Sequence, residues 1–142
     1  MAVKIIDHGS DEYKQMVDLR YNMLRKPLGL SFSEDELARE KDDILICCFD
    51  DDKLEGCCLL TEAGRKSFRL RQMAVISGLQ GKGIGKVLIQ FAENISRDRG
   101  YNKIMMHARK TAVGFYEKFG YRKSGDEFDE LGIPHYYMEK VL

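Results

Sequence analysis

Between Phe68 and Ile95 the spacing of apolar residues changes once, and the change falls on a run of glycines. Phe68 to Ile76 alternates in part, with Phe68, Leu70, Gln72 and Ala74 on one face and Arg69, Arg71, Met73 and Val75 on the other, which predicts a strand. From Gly83 onward Ile84, Val87, Leu88, Phe91, Ala92 and Ile95 recur at helical spacing, and Gly100 is placed to end that helix. The segment between, Ser77-Gly78-Leu79-Gln80-Gly81-Lys82-Gly83-Ile84-Gly85-Lys86, must turn a strand directly into a helix. A chain built around such a unit has to layer helices on a sheet.

The remaining segments fit that frame. Val3 to Asp7 reads as a short strand, and Ser10 as the N-cap of a helix whose first residues, Asp11 and Glu12, suit its positive end. Tyr13, Met16, Val17 and Leu24 supply part of its apolar stripe, and Pro27 and Gly29 end it. Ser33 with Glu36 forms a capping-box pattern for a second, short helix finishing near Lys41. Ile44 to Phe49 and Leu54 to Thr61 are strand-like runs flanking Asp50-Asp51-Asp52-Lys53, so they should pair antiparallel. Lys103 to Ala108 gives a fifth strand, Thr111 to Phe119 a short helix with Gly120 behind it, and Pro134 to Val141 a final strand. The expectation is an α+β fold, a mostly antiparallel mixed sheet flanked by helices. With 142 residues, 44% of them apolar and only two prolines, the chain has enough material for one core, and a single domain over 1–142 is expected.

Charge and cysteine placement narrow the function classes. Lys plus Arg equal Asp plus Glu at 23 each, which removes the electrostatic argument for nucleic acid or an anionic membrane. No stretch approaches the roughly 20 apolar residues that cross a bilayer, and Met1 to Gly9 has no leader pattern, so a cytoplasmic protein is expected. The four cysteines form two adjacent pairs, Cys47-Cys48 and Cys57-Cys58, in strand-like segments. Successive strand residues point to opposite faces, so neither pair can place both sulfurs on one metal; they read as small buried hydrophobes, with no metal site.

Three phosphate-binding patterns compete for the glycine run. A Walker A loop ending in Gly85-Lys86 would need Gly where Gln80 stands and Ser or Thr where Val87 stands. A dinucleotide fingerprint would need Gly at Lys86 or Leu88. Both fail. The pattern Q-x-x-G-x-G, as Gln80, Gly83 and Gly85, fits, and so does Phe115-Tyr116-Glu117-Lys118-Phe119-Gly120-Tyr121 as F-Y-x-K-x-G-[FY] downstream. With these two motifs in order, Phe68 to Tyr121 resembles the GNAT superfamily of acyl-CoA N-acyltransferases. The run Gly132-Ile133-Pro134-His135 resembles a C-terminal signature of some small bacterial single-domain members.

The resemblance implies transfer of an acetyl group from acetyl-CoA to a primary amine by direct attack in a ternary complex. It implies that Gln80, Gly81, Lys82, Gly83, Ile84, Gly85 and Lys86 cradle the pyrophosphate, where an opening helix already favours an anion. Backbone groups of Met73, Ala74 and Val75 would hold the pantetheine, and Tyr116 would be the general acid, since a phenol with a pKa of about 10 stays protonated at neutral pH. No Asp or Glu lies in Phe68 to Ile76, so His107 and His135 are the general-base candidates, His135 the one carried forward. Arg109 stands where many relatives have a CoA-contacting Asn and is assigned to phosphate. The acceptor is a small-molecule amine or a protein amino group, with a homodimer left open. A different class, a non-catalytic acyl-CoA-binding or regulatory module, is favoured if no base exists.

Overall fold

A computed structural model describes residues 1–142. Strand β1 (Ala2–Ile6) leads to helix α1 (Asp11–Arg20), where Ser10 Oγ accepts from the Tyr13 N–H at 3.2 Å and Tyr13, Met16 and Leu19 form the buried face. The helix then widens into a π turn, Tyr21–Arg25, and tightens into a 3₁₀ turn, Lys26–Leu28, ending at Gly29 with φ 70. Leu24 therefore sits on the wide turn and not on the α1 stripe. Ser33 and Glu36 form both bonds of the capping box, at 3.1 and 3.4 Å, and start α2 (Glu34–Ala38). That helix stops before Lys41, giving way to a 3₁₀ turn over Arg39–Asp42.

Strands β2 (Ile44–Asp50) and β3 (Lys53–Glu62) pair antiparallel through a two-residue turn in which Asp51 takes φ 50. Then follow β4 (Ser67–Val75), α3 (Ile84–Asp98), β5 (Lys103–Arg109), a 3₁₀ turn leading into α4 (Val113–Glu117), β6 (Arg122–Glu130) and β7 (Ile133–Val141). The seven strands form one sheet in the order β1-β2-β3-β4-β5-β7-β6. Every neighbouring pair is antiparallel except β4 with β5. The fold class is the expected α+β, with one strand more than the sequence spacing suggests. Strand β6, Arg-Lys-Ser-Gly-Asp-Glu-Phe-Asp-Glu, is an almost wholly exposed edge, so no apolar alternation marks it.

Each sheet face has its own core. One is packed by α3 and α4 through Ile84, Leu88, Val113 and Tyr116, the other by α1 through Tyr13, Met16 and Leu19. Adjacent Leu59 and Leu60, both fully buried, go one to each face, and each is worth roughly 2 kcal/mol of transfer free energy. The cysteines divide the same way: Cys48 and Cys58 face α3, Cys47 and Cys57 face α1, and all four are buried and unbridged.

Strand β4 departs from its sequence reading. Gln72 adopts φ 57, and the register with β3 slips between Cys57 and Leu59. A bulge of this kind transfers every later side chain to the opposite face. Phe68 and Leu70 stay with the α3 core, whereas Ala74 joins the α1 core and Met73 and Val75 pack on the α3 side. The kink also carries β4 away from β5, whose parallel pairing stops at Leu70 and Met106 although β5 continues to Arg109.

Candidate active site

Where β4 and β5 part, backbone groups lose their sheet partner. The Ile76 N–H bonds Glu55 O at 2.9 Å, so it faces β3. Because a strand turns its amides alternately to its two neighbours, Met73 and Val75 direct theirs into the gap. Two cavities of about 450 Å³ each open here, with Leu24, Met73 and Phe115 as walls common to both.

The first cavity is floored by the glycine loop. Gly83, at φ 87, a conformation glycine adopts freely, begins α3 without a side-chain cap. The first helical bond comes from the Val87 N–H to Gly83 O at 3.1 Å, which leaves the N–H groups of Ile84, Gly85 and Lys86 without helical partners. These three donors, at the positive end of a 15-residue helix, can bind an anion. Gln80 braces the loop from inside: its Oε1 accepts from the Gly78 N–H and its Nε2 donates to Val75 O, both at 3.0 Å. Gln80, Gly81, Gly83, Ile84, Gly85 and Lys86 line this cavity together with Met73, Ala74 and Val75. Lys82 lies on the exposed side of the loop, outside the lining.

The second cavity is the more polar of the two and holds Tyr116, His107, His135 and Arg109. Arg109, expected to contact a phosphate of the cofactor, lines this cavity, and its Nη2 donates to Leu24 O at 3.2 Å. Tyr116 is buried, packed edge-on against Phe115 and Tyr121, and burial, with the Cys58 thiol beside it, pushes its pKa well above the usual phenol value. It keeps its proton throughout the neutral range. Buried His135 has Nδ1 2.8 Å from Ile133 O. A carbonyl only accepts, so Nδ1 carries a hydrogen, and Nε2 is the nitrogen left for other partners.

Two groups absent from the sequence reading complete this cavity. Glu130, the last residue of β6, has Oε1 3.0 Å from His107 Nδ1 and Oε2 3.6 Å from His135 Nε2. Burial works to raise its pKa, but the His107 hydrogen bond and the charges of His107, His135 and Arg69 outweigh burial and hold the carboxyl below the ordinary value. Arg69 Nη2 lies 3.0 Å from His107 Nδ1. Glu130 was hidden because its strand was, and Arg69 because an alternating strand gives an arginine no mark beyond its face. The arrangement places a protonated phenol, an imidazole and a carboxylate in one cavity adjoining an anion-binding helix end, which is a layout for moving protons on a ligand that spans both cavities.

A family model described as an acetyltransferase (GNAT) domain matches residues 26–142. The chain is 28% identical to the uncharacterized N-acetyltransferase YjcF of Bacillus subtilis, covering 96% of this chain and 97% of that one. It spans about half the length of the first curated relatives it matches, two Bacillus subtilis proteins at 36% and 35% identity. Its fold is similar to that of an aminoglycoside 6'-N-acetyltransferase solved with coenzyme A, at TM-score 0.85 and 19% identity over 99% of this chain and 97% of that one. A PaiA N-acetyltransferase from Thermoplasma acidophilum, also solved with coenzyme A, gives TM-score 0.74 at 17% identity over the whole of both chains.

Proposed function

This chain belongs to the acetyltransferase (GNAT) family, and on that premise we propose that it is an N-acetyltransferase, acting as one domain, that uses acetyl-CoA to acylate an amine. The observation that carries the reading is the pair of cavities meeting at Met73 and Phe115, one on the α3 N-terminus, the other holding Tyr116, His135 and Glu130. The residues fit coenzyme A: three unpartnered N–H groups face the phosphates' position, and the open backbone of Met73 and Val75 can take an extended pantetheine like an added strand. Bound acetyl-CoA supplies an acyl thioester.

From there the chain's own groups do the work. The Met73 N–H donates to oxygen as it gains charge. His135 Nε2 takes the proton that the attacking amine sheds, and Glu130 stabilises the resulting imidazolium. Tyr116 gives its proton to the departing sulfur as the carbon–sulfur bond breaks, and exchange with solvent then returns a proton to Tyr116 and takes one from His135. The alternative of binding without turnover drew on the lack of an acid in β4; Glu130 and His135 beside Tyr116 support turnover instead. No helix of the chain is long and apolar enough to cross a membrane, and four buried, unbridged thiols support a cytosolic setting.

Calorimetric titration with acetyl-CoA, followed by release of free CoA across a panel of amines, tests the reading. Binding should be saturable and abolished by Gly83→Asp in a variant still folded by circular dichroism. No binding at millimolar acetyl-CoA would remove the cofactor assignment; binding without CoA release from any amine would return the regulatory module.

A further inference from the structure

Four guanidiniums line the polar cavity, Arg25, Arg69, Arg71 and Arg109, against the single carboxylate of Glu130. The chain as a whole is balanced in charge, so this is a local excess. Two of the four are answered from outside the cavity: Arg25 by Glu36 at 2.8 Å, and Arg71, more loosely, by Asp43 at 4.0 Å. The other two are not. Arg109 makes its hydrogen bond to the Leu24 carbonyl and has no carboxylate partner. Arg69 is 3.8 Å from Glu130, whose nearer oxygen is engaged by His107 at 3.0 Å, and its Nε is buried without a partner.

A half-buried cation without counter-charge, as Arg109 is, or with one shared with a histidine, as Arg69 is, is costly to the folded chain. Burial first, and a neighbouring arginine second, hold the pKa of both Arg69 and Arg109 below the ordinary guanidinium value. An anion entering the cavity would relieve both, and the planar fork of a guanidinium matches the oxygens of a carboxylate or phosphate. Arg109 lines this cavity and not the one floored by the glycine loop.

We infer that the amine acceptor is a small molecule bearing an anionic group, a carboxylate or a phosphate, held by Arg69 and Arg109 while its amine faces His135; this rests on the acetyltransferase reading. A cavity of about 450 Å³ suits a ligand of that size. A plain polyamine would set a second ammonium against the guanidiniums.

The test compares amines in matched pairs by CoA release: phenylalanine with phenylalanine amide, and glucosamine 6-phosphate with glucosamine. The first pair reads a carboxylate, the second a phosphate. In at least one pair the anionic member should show kcat/KM tenfold or more above the neutral one. Arg69→Gln and Arg109→Gln should erase that preference by raising KM, with acetyl-CoA affinity unchanged. Neutral members used equally well in both pairs, or variants that weaken acetyl-CoA binding instead, would overturn the inference. A second readout separates this from failure of the enzyme reading: inorganic phosphate and succinate are titrated into the CoA-saturated and the free protein by thermal shift. Stabilisation lost in the Arg69→Gln/Arg109→Gln variant supports the anion site even if no amine is turned over, and its absence in the parent overturns it.

Discussion

A Cβ on Gly85 would stand 2.8 Å from Cζ of Phe115. The first turn of α3 thus rests directly on the ring that borders both cavities. Gly85→Ala must displace that ring, and since Cζ is the free end of a side chain the protein should stay folded. We expect acetyl-CoA affinity to fall about tenfold and acceptor KM to rise together. Gly83→Ala makes a contrast: space is open around it, but φ 87 is strained for alanine, so it should cost about 1–2 kcal/mol of stability. Calorimetry and urea melts on both variants check this; a Gly85→Ala protein with unaltered ligand affinities would contradict it.

Tyr116→Phe keeps the ring packed against Phe115 and Tyr121 and removes only the hydroxyl. Turnover should fall 10²-fold or more while acetyl-CoA affinity and Tm hardly change. If turnover stays within about threefold of the parent, with chemistry shown to be rate-limiting, the sulfur takes its proton from elsewhere.

His135 and Glu130 should separate by the size of their effects on turnover. His135→Gln removes the proton acceptor and should cost 10²-fold or more in kcat. Glu130→Gln removes the charge 3.6 Å from Nε2 and leaves the base in place. It should lower kcat more modestly, because the imidazolium formed in the reaction loses its counter-charge. Unchanged turnover in both variants, with chemistry shown to be rate-limiting, would exclude the pair from proton transfer.

Stability should decline on the alkaline side. Burial raises the thiols of Cys47, Cys57 and Cys58, Cys57 to about 12, and raises the phenols of Tyr13, Tyr116 and Tyr121. An unfolded chain loses these protons near about 8.5 and 10, whereas the folded chain keeps them. The native state then binds more protons, so stability, intact below those values, falls as pH rises through them. Urea melts between pH 8 and 11 should show the decline steepening above about pH 10; a flat midpoint would disprove it.

How much of this was legible in the sequence depends on burial. The Ser10 cap, the Ser33–Glu36 box, the hairpin over Asp51 and Asp52 and the loop before α3 were all legible, because local chemistry or a one-sided apolar pattern fixes each of them. Strand β6 was not, since its pairing with β7 leaves nearly every side chain in solvent, and Glu130 was lost with it. Nor was the reversal after Gln72, because a bulge depends on the register of the partner strand and not on the residues that carry it. Most of the cofactor cavity is thus written in one segment, Met73 to Lys86, while the polar cavity is assembled from β4, β5, α4, β6 and the start of β7, and its Glu130 and Arg69 carried no mark.

The parting of β4 from β5 also bears on how the chain assembles. Strands β1 to β4 are joined to their neighbours by antiparallel pairings, two of them through short connections, and such local contacts form with little loop-closure cost. Ser67 to Leu70 can meet Lys103 to Met106 only after the chain has crossed over through α3, and just four residue pairs then hold the seam. The two halves of the sheet should therefore join late, and amide exchange should be faster along that seam than along the β2–β3 pairing. A ligand lying in it would tie together two units that the backbone alone links weakly.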